Sequence, residues 1–278
     1  MKKVRAIVLR AAGTNCDVET AYALEYCGAK ADLVHVNSLL SASGELNKYD
    51  ILAIPGGFTY GDDISSGKIL ANELRHKLSS RLKAFIERDG IIIGICNGFQ
   101  VLVKSGILPG WEGDNIEATL TINDSAKFED RWVYLTQNPK IKNQNLKSKV
   151  RVKRTRRAQK CIWTKWIDNI IYLPVAHGEG KFIPKDEKVL QRLNDEGQII
   201  LRYVDRYGKP AEYPANPNGS TDDIAGICDR TGKVFGLMPH PERYLSPLQH
   251  PRWSREGRGK EGDGAMIFKN GVDYAKRR

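Results

Sequence analysis

Gly90-Ile91-Ile92-Ile93-Gly94-Ile95 is an unbroken apolar run that ends at Cys96-Asn97-Gly98, where a second apolar segment begins. A strand apolar on both faces must be covered on both faces, which is the environment of a strand in a parallel sheet flanked by helices. The rest of the first half fits this frame. Val4 to Leu9, Ala31 to Val36 and Tyr49 to Ile54 read as further strands. Asp17 to Tyr26, Lys68 to Arg88 and Asn97 to Val103 read as the helices between them, with Asp17 as a candidate N-cap. The expected fold is α/β, an open and mainly parallel sheet flanked by helices. In such sheets functional residues gather in loops at the carboxyl ends of strands.

After Pro109-Gly110 the pattern shifts to short strand-like runs divided by Asn, Gly and Pro: Arg131 to Leu135, Lys149 to Lys153, Cys161 to Thr164, Ile170 to Val175, Gln198 to Val204, Ile224 to Asp229 and Lys233 to Met238. These are expected as antiparallel additions to the same sheet. Gly262 to Arg277 reads as a terminal amphipathic helix. No internal repeat or low-complexity linker divides the sequence, so residues 1–278 are expected to form one domain with a basic elaboration at about 137–165.

Charge sharpens that last point. The 44 Lys and Arg against 33 Asp and Glu give a net charge of +11, which by itself suggests a polyanion as partner. Lys140 to Lys165 alone carries eleven basic residues and no acidic one, so the excess resides in one segment and the remainder is balanced. No apolar run approaches the ~20 residues of a membrane span. The apolar stretch after Met1-Lys2-Lys3 is too short for a secretory signal, so a cytoplasmic protein is expected. Five cysteines at irregular spacing, without a C-x-x-C pair, indicate neither a disulfide framework nor a structural zinc site.

Three short segments carry chemistry. Gly94-Ile95-Cys96-Asn97-Gly98 has the G-x-[S/C]-x-G pattern of a nucleophile elbow, in which a tight strand-to-helix turn lifts the nucleophile off the sheet. A helix N-terminus there stabilises a thiolate, and the Asn97 N–H is a candidate oxyanion donor. A buried packing cysteine is the competing reading of Cys96. Met238-Pro239-His240-Pro241-Glu242 ends another apolar run and supplies a base with an orienting carboxylate two residues on. In Pro55-Gly56-Gly57-Phe58, Gly57 is the candidate for the second oxyanion donor, although a Gly-Gly loop is commonly just a turn. Cys16 also lies between a strand and a helix but lacks the glycine frame, so it is read as structural or channel-side. Cys27, Cys161 and Cys228 are read as core.

Together Cys96, the Pro55-Gly56-Gly57 loop and His240-x-Glu242 resemble the class I glutamine amidotransferases. More narrowly, six segments in order resemble the glutaminase subunits of phosphoribosylformylglycinamidine synthases: Gly13 to Asp17, Gly56 to Asp63, Gly94 to Gln100, Pro174 to Phe182, Tyr213 to Ser220 and Gly236 to Arg243. The resemblance implies a single glutamine amidotransferase type 1 domain. It implies a hydrolase that supplies ammonia to a ligase of de novo purine biosynthesis: Cys96 attacks the glutamine amide and forms a thioester, His240 shuttles the proton, and Glu242 holds the imidazole. It further implies Gly57 and Asn97 as oxyanion donors and Gln100, His177 and Gly178 as glutamine contacts, with His177 read equally well as a structural histidine. Asp62 and Asp63 fall in a loop that the resemblance puts near the partner, or simply cap the helix that follows.

The implied partners are a large ATP-dependent synthetase subunit and a small accessory subunit, with low glutaminase activity in the isolated chain. No cofactor or metal is expected in this chain, which has no Gly-x-x-x-x-Gly-Lys-[Ser/Thr] loop; ATP and Mg belong to the partner. The alternatives are a cysteine glutaminase serving a different synthetase, and a polyanion-binding module using the basic segment with Trp163 and Trp166.

Overall fold

Five parallel strands build one side of the molecule in the computed structural model, which describes residues 2–41, 45–62, 64–110, 115–137, 160–167, 170–210, 212–256 and 259–278. They are β1 (Arg5–Arg10), β2 (Lys30–His35), β3 (Ile51–Ile54), β4 (Ile91–Ile95) and β11 (Val234–Leu237), in the order β2-β1-β3-β4-β11. Every residue of β3, β4 and β11 is buried, as continuous Ile, Leu and Val runs require when both faces are covered. The edge strand β2 is half-exposed instead. α1 (Asp17–Tyr26), α2 (Val36–Ser41), α3 (Lys68–Glu73), α4 (Ser79–Glu87) and α5 (Asn97–Lys104) connect these strands. The expected helix from Lys68 to Arg88 forms with one π-helical segment, Leu74–Leu78, inside it. Asp17 is the first helical residue and not the cap. Cys16 occupies the N-cap position, and the Asp17 carboxylate pairs with Arg10 Nε at 2.5 Å.

The sheet continues through β10 (Ile224–Cys228), β9 (Ile199–Val204), β6 (Glu129–Thr136) and β7 (Ile171–His177), each antiparallel to its neighbours, giving nine strands. Two expectations are corrected here. The run at Lys233 to Met238 is no antiparallel addition: β11 pairs parallel with β4, Leu237 opposite Ile95. The run Cys161 to Thr164 is no strand. Ile162–Thr164 is a 3-10 turn whose Trp163 is fully buried and donates Nε1–H to the Lys233 carbonyl at 3.1 Å. Its apolar residues pack on α7 (Ala265–Lys276), where Asn270 Nδ2 donates to the Trp163 carbonyl at 3.1 Å. Trp163 is therefore unavailable for base stacking, whereas Trp166 is exposed.

β5 (Ala118–Thr121) and β8 (Lys181–Pro184) form a separate antiparallel pair, and α6 (Glu187–Asp195) follows. The sequence reading omits all three. The strand expected at Lys149 to Lys153, Asp63 and most of the basic segment (140–159) lie outside the described residues. No helix among the described residues is long and apolar enough to cross a membrane.

For function, the decisive feature is the adjacency of β3, β4 and β11. Three parallel neighbours bring their carboxyl ends to one edge, so loops distant in sequence, after Ile54, Ile95 and Leu237, converge there.

Candidate active site

Cys96 sits between β4 and α5 with φ 50° and ψ −106°. A positive φ at a residue bearing a side chain costs roughly 1–3 kcal/mol, and the surroundings hold it there. Cys96 N–H donates to the Leu237 carbonyl at 2.8 Å, which ties the elbow to the end of β11. Gly98 lies where α5 crosses β3: a Cβ on it would collide with the Ile54 carbonyl, so only glycine lets the helix start this close to the sheet. Cys96 Sγ is buried and lies 3.6 Å from the Ala176 carbonyl at the end of β7.

His240 and Glu242 are both about 1% exposed, and Nδ1 of the imidazole meets Glu242 Oε1 at 2.6 Å. The His240 N–H donates to the Pro174 carbonyl at 2.8 Å, fixing the segment to β7. Burial works against an imidazolium, but Glu242 and the adjacent Cys96 and Cys16 sulfurs outweigh it and raise the His240 pKa well above its ordinary value. Nδ1 is occupied by Glu242, so Nε2 is the nitrogen left for chemistry.

Gly57 has φ +141°, and a Cβ there would lie 2.8 Å from Asn15 N and 3.0 Å from the Gly13 carbonyl. The loop is pinned on either side by Phe58 N–H to Gly13 C=O at 2.9 Å and Cys16 N–H to Gly56 C=O at 3.3 Å. In an antiparallel bridge closed by its flanking bonds, the central residue's N–H points away from the partner segment. Asn97 is the first residue of α5, where helix geometry leaves the N–H without an intrahelical partner. Its side chain is used elsewhere: Thr59 Oγ1 donates to Asn97 Oδ1 at 2.5 Å, and Asn97 Nδ2 donates to Gln100 Oε1 at 3.0 Å and Asp62 Oδ1 at 3.3 Å.

Gln100 is buried one turn into α5, and its Nε2 donates to the Glu179 carbonyl at 2.5 Å. Its polar ends are thus engaged within the protein. The same network runs on to Lys104, 6% exposed, whose Nζ donates to the Ser66 carbonyl at 2.7 Å and lies 3.4 Å from Glu179 Oε2. Asp62, read as a possible helix cap, accepts from Ser66 Oγ at 2.8 Å and from the N–H of Gly67, the N-cap of α3, at 3.2 Å. Burial raises its carboxyl pKa.

His177 is buried beside these groups, and burial first, then the charge of His240, pushes its pKa down to about 3. It is neutral, and its tautomer follows from its neighbour. Asn123 Nδ2 donates to the Lys127 and His177 carbonyls at 2.8 Å each, so Asn123 Oδ1 is the acceptor. That oxygen takes Gly180 N–H at 2.9 Å and His177 Nδ1–H at 3.2 Å. His177 Nε2 then bears a lone pair, buried and without a hydrogen-bond partner among the described residues. Gly178 lies further out, its carbonyl accepting from Asn123 N at 2.9 Å, and a Cβ on it would meet Phe128 at 3.9 Å.

The sequence reading missed Asn123, Tyr203, Asn218, Glu179 and Lys104. Asn218 Nδ2 donates to the Gly180 carbonyl at 2.8 Å and to Tyr203 Oη at 3.2 Å, holding the segment after His177 from β9. Only Asn218 and Glu179 stood inside a quoted motif.

Cys16, Glu19, His240 and Glu242 bring potential metal-ligating atoms within 4.8 Å of one another. Arg243 already donates to Glu19 Oε1 at 2.9 Å and to Cys16 Sγ at 3.2 Å, and His240 holds Glu242, so the anionic groups of this cluster are matched by protein cations.

A family model described as the CobB/CobQ-like glutamine amidotransferase domain matches residues 3–275. Phosphoribosylformylglycinamidine synthase subunit PurQ of Dehalococcoides mccartyi is 48% identical over 277 residues, covering 99% of both chains. The proteins of that name from Treponema denticola and Methanococcus maripaludis are 42% and 40% identical, with 98% and 97% of this chain covered and 99% and 97% of theirs. Among solved structures, PurLQS from Thermotoga maritima contains a chain that superposes with a TM-score of 0.69 at 30% identity, covering 98% of this chain and 99% of that one.

Proposed function

The chain belongs to the CobB/CobQ-like glutamine amidotransferases and serves as a glutaminase subunit of phosphoribosylformylglycinamidine synthase in purine biosynthesis, and from that premise we propose how its residues carry the reaction. Cys96 is the nucleophile, His240 the acid and base, and Glu242 the carboxylate that orients the imidazole. The Cys96 thiolate adds to the side-chain amide carbon of glutamine, and the N–H groups of Gly57 and Asn97 stabilise the oxyanion. His240 gives its Nε2 proton to the leaving nitrogen as the carbon–nitrogen bond breaks, releasing ammonia and leaving a thioester. Neutral His240 then takes a proton from water, whose oxygen cleaves the thioester to glutamate and restores Cys96.

The observation that carries this reading is the buried His240–Glu242 pair, 2.6 Å apart, next to a strained cysteine at a helix N-terminus. Cys96 Sγ lies 3.6 Å from the Ala176 carbonyl and also against His240, whose charged form it favours, so nucleophile and acid–base group already stand together. Gln100, His177 and Gly178 are proposed to contact glutamine. The unpartnered Nε2 of His177 supports its part, and Gln100 must release the Glu179 carbonyl to take up its own.

The ammonia passes to a synthetase subunit; we further propose a small accessory subunit in the complex, ATP and Mg bound by the synthetase, a cytoplasmic location, and residues 1–278 acting as one domain. The test is hydrolysis of glutamine by wild type, Cys96→Ala and His240→Ala with the synthetase present. Loss in both variants is expected, and retained turnover in Cys96→Ala rules the mechanism out.

A further inference from the structure

Cys16 is a buried thiol that the reaction above does not use, and it lies against the imidazole that the reaction depends on. A Cβ on Gly56 would stand 2.9 Å from His240 Cε1, 3.1 Å from Cys16 Sγ and 3.4 Å from Cys96 Cβ, so ring, second thiol and nucleophile crowd around one backbone residue. Besides its contact with the imidazole, Cys16 has two further polar partners. Its S–H donates to Asn15 Oδ1 at 3.2 Å, and its sulfur accepts from Arg243 Nη2 at 3.2 Å. Arg243 is anchored in turn by Glu19 Oε1 at 2.9 Å, in the first turn of α1. Burial raises the Cys16 pKa, which keeps it a thiol and no rival nucleophile.

One hydrogen bond at Nδ1 sets the distance between His240 and Glu242 but does not by itself fix the tilt of the ring about that bond. A proton shuttle misplaced by about 1 Å loses on the order of 10²-fold in rate, so a second contact on the ring has kinetic value. We propose that Cys16 and Arg243 are positioning residues for the catalytic imidazole: the Arg243-anchored thiol blocks His240 from swinging away from Cys96. The proposal rests on the reading of His240 as the acid and base. It also gives α1 a task, since Glu19, Arg243 and Cys16 link that helix to the turn that carries the histidine.

The test uses the complex with the synthetase subunit and two readouts, glutamine turnover and the rate at which iodoacetamide alkylates Cys96, followed by peptide mass spectrometry. Cys16→Ala is expected to lower kcat about tenfold or more with KM for glutamine within about threefold, and to slow alkylation of Cys96 in parallel. Slower alkylation is the signature of a displaced base, because a merely loosened site exposes Cys96 and speeds it. Cys16→Ser, which keeps a small hydrogen-bonding group, is expected to recover most of both rates. Arg243→Gln carries the same test should Cys16→Ala fail to fold. Rates within twofold of wild type in Cys16→Ala and Arg243→Gln overturn the proposal, as does a fall in kcat with unchanged or faster alkylation. If His240→Ala retains hydrolysis, the underlying catalytic reading fails and takes this one with it. Loss in His240→Ala with both other variants unaffected overturns the positioning role alone.

Discussion

Glu242 makes the largest contribution to holding His240 charged against burial, ahead of the neighbouring Cys96 and Cys16 sulfurs. Glu242→Gln keeps the size and removes the charge, and kcat for glutamine hydrolysis is expected to fall by on the order of 10²–10⁴ while KM changes little. A drop confined to KM contradicts the assignment. His177 is the opposite case, a histidine held neutral with its pKa pushed down to about 3 from 6.5. Between those values the unfolded chain binds a proton that the folded chain refuses, so this contribution to stability is intact above about pH 6.5 and is lost as pH falls toward 3. The largest loss is ~5 kcal/mol at 1.36 kcal/mol per pKa unit. Urea unfolding from pH 7 to pH 4 should therefore show a shallower acid decline in His177→Gln than in wild type; equal slopes would show that His177 does not carry it. Cys96, His240 and Glu242 were legible in the sequence because each belongs to a local pattern with a mechanistic reason. Asn123 and Tyr203 were not, since their value lies in contacts across 54 and 15 residues of sequence, to His177 and Asn218.

At the level of elements, α5 carries the site and is buried on every side. Its N-terminus is set by Gly98 against β3. Gly98→Ala, which raises helix propensity, is nonetheless expected to destabilise the protein by about 3 kcal/mol and to abolish turnover, because the added methyl meets the Ile54 carbonyl. Thermal unfolding checks it, and a stabilised, active variant would contradict the account. The far end of α5 is held by Lys104 and Glu179. Removing either partner alone should cost about 3 kcal/mol, and Lys104→Met with Glu179→Gln less than the sum, as a double-mutant cycle would record. The parallel strands were legible because two-sided burial forces continuous apolar runs. α6 carries a readable signal too, with Asp186 accepting from Val189 N at 2.9 Å as an N-cap and Val189 and Leu193 buried on one face. By contrast, Cys161 to Thr164 looks like a strand because apolar residues packed on a helix and apolar residues in a sheet are alike in composition.

Across the whole molecule, the arrangement of strands turns separate motifs into one site. β11 returns from the far end of the sequence to lie parallel beside β4, and no local pattern announces that pairing. The excess of positive charge in Lys140 to Lys165 stands apart from every proposed catalytic group in sequence. Neutralising Arg151, Lys153, Arg154, Arg156 and Arg157 is expected to leave glutamine hydrolysis unchanged, and its loss would assign that segment a part in the reaction. Adding the synthetase subunit is expected to raise hydrolysis above that of the isolated chain. The central claim, that Cys96 and not the neighbouring thiol is the nucleophile, is tested most directly by treating the complex with the glutamine-analogue electrophile diazo-oxo-norleucine and mapping the adduct by mass spectrometry. One adduct per chain on Cys96, absent in Cys96→Ala, is the predicted result; label on Cys16, or label that persists in Cys96→Ala, would contradict it.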